Sequence, residues 1–244
     1  MRYLGFILLL FNPLLAQTLT LGAGPYVQTQ PYAGAKAVVV ASPVIFFDNN
    51  IFYIRWSRAG VYFLGSKEED YAWGLSLVAQ PRPYGYESSD AAILEGMDRR
   101  KQALEAGIAF SIKVDKIYLE IMALTDVTNH TDAYNVKSEL GYEFSLGDFI
   151  FYPSFLIIYQ SSKFTNYYYG VKPTEATSQR KAYTPTHGVD FGVQTYIEYP
   201  LHENFLILVN LRADKLSKEI TKSPLVNDSY IYSGLASVLY KFNY

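Results

Sequence analysis

Apolar and polar side chains alternate with a period of two along most of the chain, the mark of strands with two unlike faces. Val189, Phe191, Val193, Thr195, Ile197 and Tyr199 share one face, opposite Asp190, Gly192, Gln194, Tyr196 and Glu198. The same design recurs from Leu104 to Val114, from Tyr134 to Phe144 and from Tyr230 to Tyr244. Candidate strands cover 18–27, 37–47, 51–57, 60–64, 71–80, 104–114, 117–126, 133–145, 149–160, 187–199, 204–213 and 230–244.

Length and charge placement separate a soluble sandwich from a membrane barrel. Soluble strands average about 5 or 6 residues, whereas a tilted strand crossing a bilayer needs about 9 to 11. Most of these segments are in the longer class. Charge also avoids one face of each, as expected where a Lys or Arg facing lipid costs roughly 2 to 4 kcal/mol at the midplane. The opposite faces carry Arg55, Glu105, Lys113, Glu120, Lys137, Glu139, Glu143, Asp190, Glu198, Arg212 and Lys241. These mixed charges are expected to pair across a small lumen, leaving it plugged or narrow.

Connections alternate between short and long, as an up-and-down barrel with short periplasmic turns and longer outer loops requires. The expected fold is therefore all-β, a transmembrane antiparallel barrel of 12 strands with both termini in the periplasm. Residues 50–64 are the uncertain stretch. A hairpin at Arg58-Ala59 gives 12 strands, exclusion of this stretch leaves 10, and one continuous strand gives 11 and breaks the parity.

Composition fits this reading. Among 244 residues are 23 Tyr, 15 Phe and 2 Trp, an enrichment expected where rings line both lipid–water interfaces. The net charge of -2 gives no basic surface for nucleic acid, and the absence of Cys excludes disulfides. Arg2, the apolar run Leu4 to Leu15 and the small Ala16 form a signal-peptide pattern over 1–16, too short to span a bilayer as a helix. The barrel then occupies 17–244. Tyr240, Phe242 and Tyr244 resemble the C-terminal signal read by outer-membrane barrel assembly machinery.

Catalytic chemistry finds little support. His130, His187 and His202 lack a metal-ligand spacing, so neither a metal nor another cofactor is expected. A Ser–His hydrolase would need a hydroxyl such as Ser178 beside His187. Asp98, Arg99, Arg100 and Lys101 read as a solvated loop or as a contact for lipopolysaccharide phosphates. The sequon Asn129-His130-Thr131 reads as coincidence in a bacterial chain.

Several loop segments resemble one known family, the MltA-interacting protein (MipA)/OmpV family of outer-membrane proteins. They are Gly22-Ala23-Gly24-Pro25-Tyr26 with Tyr32-Ala33-Gly34; Leu94-Glu95-Gly96-Met97-Asp98-Arg99-Arg100; Tyr168-Tyr169-Gly170-Val171-Lys172-Pro173-Thr174-Glu175-Ala176; and Ser223-Pro224-Leu225-Val226. Gly34, Gly96 and Gly170 fit positions needing positive φ or close backbone approach. Pro173 and Pro224 stiffen the chain. The resemblance implies a non-enzymatic scaffold in the outer membrane, in contact with lipopolysaccharide and with a lytic transglycosylase and a penicillin-binding protein as partners. A narrow channel for polar solutes and an outer-leaflet lipid-modifying enzyme are the alternatives.

Overall fold

The computed structural model describes residues 18–82 and 85–243. The expected signal segment 1–16 and Tyr244, the last residue of the expected assembly signal, lie outside the described residues. Within them the chain closes into an antiparallel barrel of 12 strands. They are β1 (Thr18–Gln28), β2 (Val38–Asp48), β3 (Phe52–Arg55), β4 (Arg58–Lys67), β5 (Tyr71–Arg82) and β6 (Ala103–Val114). Then come β7 (Ile117–Asp126), β8 (Tyr134–Tyr142, resuming over Phe144–Leu146), β9 (Phe149–Gln160), β10 (Gly188–His202), β11 (Phe205–Lys215) and β12 (Tyr230–Asn243). Sequence neighbours pair throughout, and β12 closes on β1 with Thr18 opposite Asn243 and Gln28 opposite Ser233. No described helix is long and apolar enough to cross a membrane.

Alternation fixes which side chains face lipid. Leu77, Ile108, Val193, Leu211 and Val238 point outward and remain exposed in mid-strand, with no water-seeking group among them. Rings gather at both rims. At one end Phe149 meets Tyr199 with centroids 4.8 Å apart, Phe205 meets Tyr240 at 4.9 Å, and Tyr240 meets Phe242 at 4.6 Å. At the other end Tyr134 stacks on Tyr159 at 6.0 Å. Two such girdles flank the apolar band of an outer-membrane barrel. The short turns sit at the first end, which is therefore periplasmic.

Turn chemistry explains the periplasmic end. Asp115 and Gly147 take positive φ (50° and 60°) in two-residue turns, a conformation that Gly, Asn and Asp adopt most readily. Between β2 and β3, the Asn49 side chain accepts from the Ile51 and Phe52 amides at 3.0 and 2.8 Å. Inside the wall, Gly141 leaves room for the Tyr118 ring, since a Cβ there would lie 2.1 Å from Cζ of the ring.

Several boundaries differ from expectation. The hairpin closes at Trp56-Ser57, not at Arg58-Ala59, with Arg55 opposite Arg58. Trp56 carries the turn with a φ of 56°. As a result β4 is 10 residues long and β3 only 4, and Arg58 moves from the turn into the lumen. β10 runs on to His202 through an irregularity at Pro200, so the expected turn 200–203 shrinks to two residues.

Candidate functional site

The outer loops form a second core outside the wall. Tyr32 of the first loop, Leu94 and Met97 of the third, Phe164 and Tyr168 of the fifth, and Ile220 and Leu225 of the sixth pack together, all nearly inaccessible. The fifth loop opens with helix α1 (Ser162–Tyr169), capped by the Ser161 hydroxyl accepting from the Phe164 amide, a standard N-cap. The sixth carries a single turn, α2 (Lys218–Thr221). This cap packs across the outer mouth of the barrel.

Residues 22–26 lie in the wall as part of β1, but Tyr32 and the other three family-like segments, far apart in sequence, converge in this cap. Tyr32 packs edge-on to Tyr86 at 5.0 Å, and its hydroxyl donates to the Tyr168 carbonyl at 3.3 Å. Ser223 donates to the Tyr169 carbonyl at 2.6 Å and accepts from the Leu225 amide, next to Pro224. Val171 bridges to Tyr183 and Tyr32 to Val226. Gly34 and Gly96 have positive φ of 77° and 79°. Gly170 does not, at −75°; its requirement is close approach, since a Cβ would meet the Asn166 carbonyl oxygen at 2.4 Å. Pro173 starts a short 3-10 turn ending at Glu175.

Glu175 is the polar centre of the cap. It accepts from both the Asp98 and Lys172 amides at 3.0 Å and from the Arg100 guanidinium at 2.9 and 3.0 Å. The Arg100 and Glu175 side chains are 5% and 3% exposed. Arg100 also donates to the Tyr167 and Asp98 carbonyls at 2.7 and 2.8 Å. Burial alone would raise the Glu175 pKa, but the two amides and Arg100 outweigh it and hold the carboxyl below its ordinary value. Arg180 ties the same region to the third loop through the Ile93, Glu95 and Glu175 carbonyls. The expected solvated run 98–101 is thus corrected at Arg100, which is buried. Arg99 and Asp98 are exposed, Asp98 pairing with Lys172 at 2.7 Å.

Below the cap lies a hollow lumen of about 1720 Å³, not one plugged by its own side chains. Its charges pair as expected in part. Glu120 binds both Arg55 and Arg58, Glu105 binds Arg82, Lys113 reaches Glu143 at 2.8 Å, and Arg212 reaches Asp214 at 2.8 Å. Glu139 accepts from Gln194 at 3.0 Å, and Asp190 from Gln160 at 2.9 Å. The side chains of Lys137, Glu198 and Lys241 make no hydrogen bond or ion pair among the described residues. Arg58, Arg82 and Asp214 join these lumen charges although each lies at or beyond an expected strand end.

The histidines do not assemble a catalytic group. His187 stacks on Tyr159 at 5.7 Å, and neither it nor Ser178 makes a hydrogen bond among the described residues. His130 lies 2.7 Å from the Gln102 carbonyl in a loop organised by Asp126, which accepts from Thr128, His130 and Thr131. No group of three metal-ligating side chains occurs among the described residues.

Comparison with known proteins places this geometry. The family model for the MltA-interacting protein MipA matches residues 21–242. The chain is 23% identical to putative outer membrane protein YiaT of Escherichia coli K12 over 228 residues, covering 93% of this chain and 92% of that protein. It is 28% identical to the MltA-interacting protein of the same organism, covering 91% and 90%. Neisserial surface protein A overlays with a TM-score of 0.30 and 10% identity, covering 93% and 97% of the two chains. With its cap and family-like loops inside the matched span and its strands inside it but for the outermost residues of β1 and β12, this outer-membrane β-barrel belongs to the MltA-interacting protein MipA family.

Proposed function

We propose that the barrel is a scaffold that holds a lytic transglycosylase against its periplasmic rim. The observation that carries this reading is the asymmetry of the two ends. The outer mouth is covered by a packed apolar core, which disfavours free passage of solutes and leaves the periplasmic rim as the accessible surface. There Glu68, Glu69, Asp70 and Asp115 are all exposed, and the Asp115 amide donates to the Asp70 carbonyl at 2.8 Å, joining two turns into one acidic edge. Such an edge suits a basic partner face, with salt-sensitive association. The relative named MltA-interacting protein supports the choice of partner.

The test is retention of a purified lytic transglycosylase by the refolded full chain. Retention is expected, and it drops when Glu68, Glu69 and Asp70 are all changed to Lys. Unchanged retention in that variant, or stable unitary conductance of the parent in a planar bilayer, would overturn the scaffold reading. Conductance would favour the polar-solute channel instead.

A further inference from the structure

The barrel wall is incomplete in its outer half. β2 pairs with β1 along its whole length, but with β3 only from Phe46 to Asp48. The hairpin stops at Trp56, whose amide donates to the Ile45 carbonyl at 2.8 Å. Above it, Val38 to Val44 have no strand partner on that side among the described residues. Val38, Val39, Val40 and Ala41 are consequently all exposed, although alternate members point to opposite faces. Across the gap stands the upper end of β5. Unpaired backbone facing dry hydrocarbon is untenable, so this edge borders water or a ligand.

The gap connects lumen and membrane. A groove of about 300 Å³ on the outer face, with Ile54, Ala79 and Leu104 in its wall, shares Trp56, Ser57, Arg58, Gln80 and Pro81 with the lumen. Trp56 forms the sill, its indole N–H donating to the Ser42 hydroxyl at 3.0 Å and its ring edge-on to Tyr26 at 5.5 Å.

The lumen behind the sill has two unlike walls. On the β1, β2 and β11 side, Tyr26, Phe46 and Trp56 pack on the buried Val44 and Leu208, presenting an aromatic apolar surface to a lumen that elsewhere mixes charged groups with apolar ones such as Met122, Leu156 and Ile158. On the opposite side Arg58 touches the Met122 sulfur at 3.1 Å, and Met122 sits directly across from Lys137. Lys137 faces the cavity without a hydrogen bond or ion pair, whereas Arg58 and Arg82 nearby already hold carboxylates. Lys137 is half-buried, with Arg58, Arg82 and Arg212 nearby as well as Glu105, which Arg82 already holds, so an anion entering the lumen would supply the acceptor that its ammonium lacks.

The geometry points to a lateral binding site for a single-chain anionic amphiphile drawn from the outer leaflet. Its hydrocarbon tail lies over Trp56 against the apolar wall, and its acidic head meets Lys137. This site is independent of the periplasmic rim and of any partner there.

The chain has two Trp, so Trp73→Phe leaves Trp56 as the sole indole. The full chain with that change, refolded in dodecyl maltoside micelles, is titrated with 9,10-dibromostearic acid and separately with its methyl ester. The acid is expected to quench Trp56 saturably and the ester is not. Adding Lys137→Gln raises the half-saturating concentration by about tenfold, the scale of one charge-assisted hydrogen bond. Quenching that rises linearly with amphiphile fraction, equally for acid and ester, reports micelle partition alone and overturns the site. Saturable quenching of equal midpoint for acid and ester overturns the role of Lys137. Should Lys137→Gln not fold, as judged by a heat-modifiable gel shift, the acid–ester comparison in the Trp73→Phe protein decides by itself.

Discussion

Replacing Glu175 by Gln isolates the charge at the centre of the cap. Gln preserves shape and one carbonyl oxygen, but it removes the negative charge and one of two acceptor oxygens that serve Arg100, Lys172 and Asp98. Arg100 keeps its two carbonyl partners, yet its charge stays buried without a counterion. Breaking a buried pair from one side costs about 3 to 5 kcal/mol. At the lower bound, and at tenfold per 1.4 kcal/mol, cap amides should exchange with solvent roughly 100-fold faster. The amides to watch are Tyr86, Arg100 and Val171, which bond within the third and fifth loops of the cap, with wall amides such as Val193 as the internal reference. Lys172→Ala, which removes only the exposed pair with Asp98, should leave exchange at those amides unchanged. The measurement is hydrogen–deuterium exchange on refolded protein in micelles. A rise of less than about threefold for Glu175→Gln, well short of what a buried pair implies, would refute the claim that this pair holds the loops together.

Acid should loosen the cap selectively. Because the Glu175 carboxyl is held below its ordinary value in the folded cap, its contribution is fully present above the unfolded carboxyl value of about 4.3 and is lost as pH falls through the lower folded value. Protection factors of cap amides, which divide out the intrinsic pH dependence of exchange, should drop below that range in the parent and stay unchanged in Glu175→Gln; equal acid sensitivity in both would exclude Glu175 as the titrating group. On the wall, Val193→Arg places a charge on an exposed mid-strand lipid face and should destabilise by about 2 to 4 kcal/mol. Gln194→Lys, one residue on and beside Glu139, should be tolerated, and urea unfolding in lipid vesicles compares the two.

The barrel was readable from residues because lipid and lumen impose opposite demands on adjacent positions. Val193 and Gln194 illustrate this, and the pattern repeats strand after strand. The first hairpin was misplaced for a local reason. Its turn uses Trp56 at positive φ, where large side chains are rare and sequence offers no Gly, Asn or Asp cue. Loop glycines and prolines announced structured connections, but not what they pack against. Arg100 and Glu175 are 75 positions apart, and nothing in a charged run distinguishes Arg100, which turns inward, from Arg99, which stays in solvent. Pairing among lumen charges followed from their mixed signs. The hollow between them did not, because volume depends on barrel closure and shear rather than on residue type.

The seam between β1 and β12 has a consequence for biogenesis. It joins the first described strand to the last, so the wall cannot shut until the whole polypeptide has been delivered. A product truncated before Tyr230 would present two open hydrogen-bonding edges, on β1 and β11, each a template for aggregation. Its final closure carries the longest loop the chain can form, which makes late and slow insertion the natural order of events.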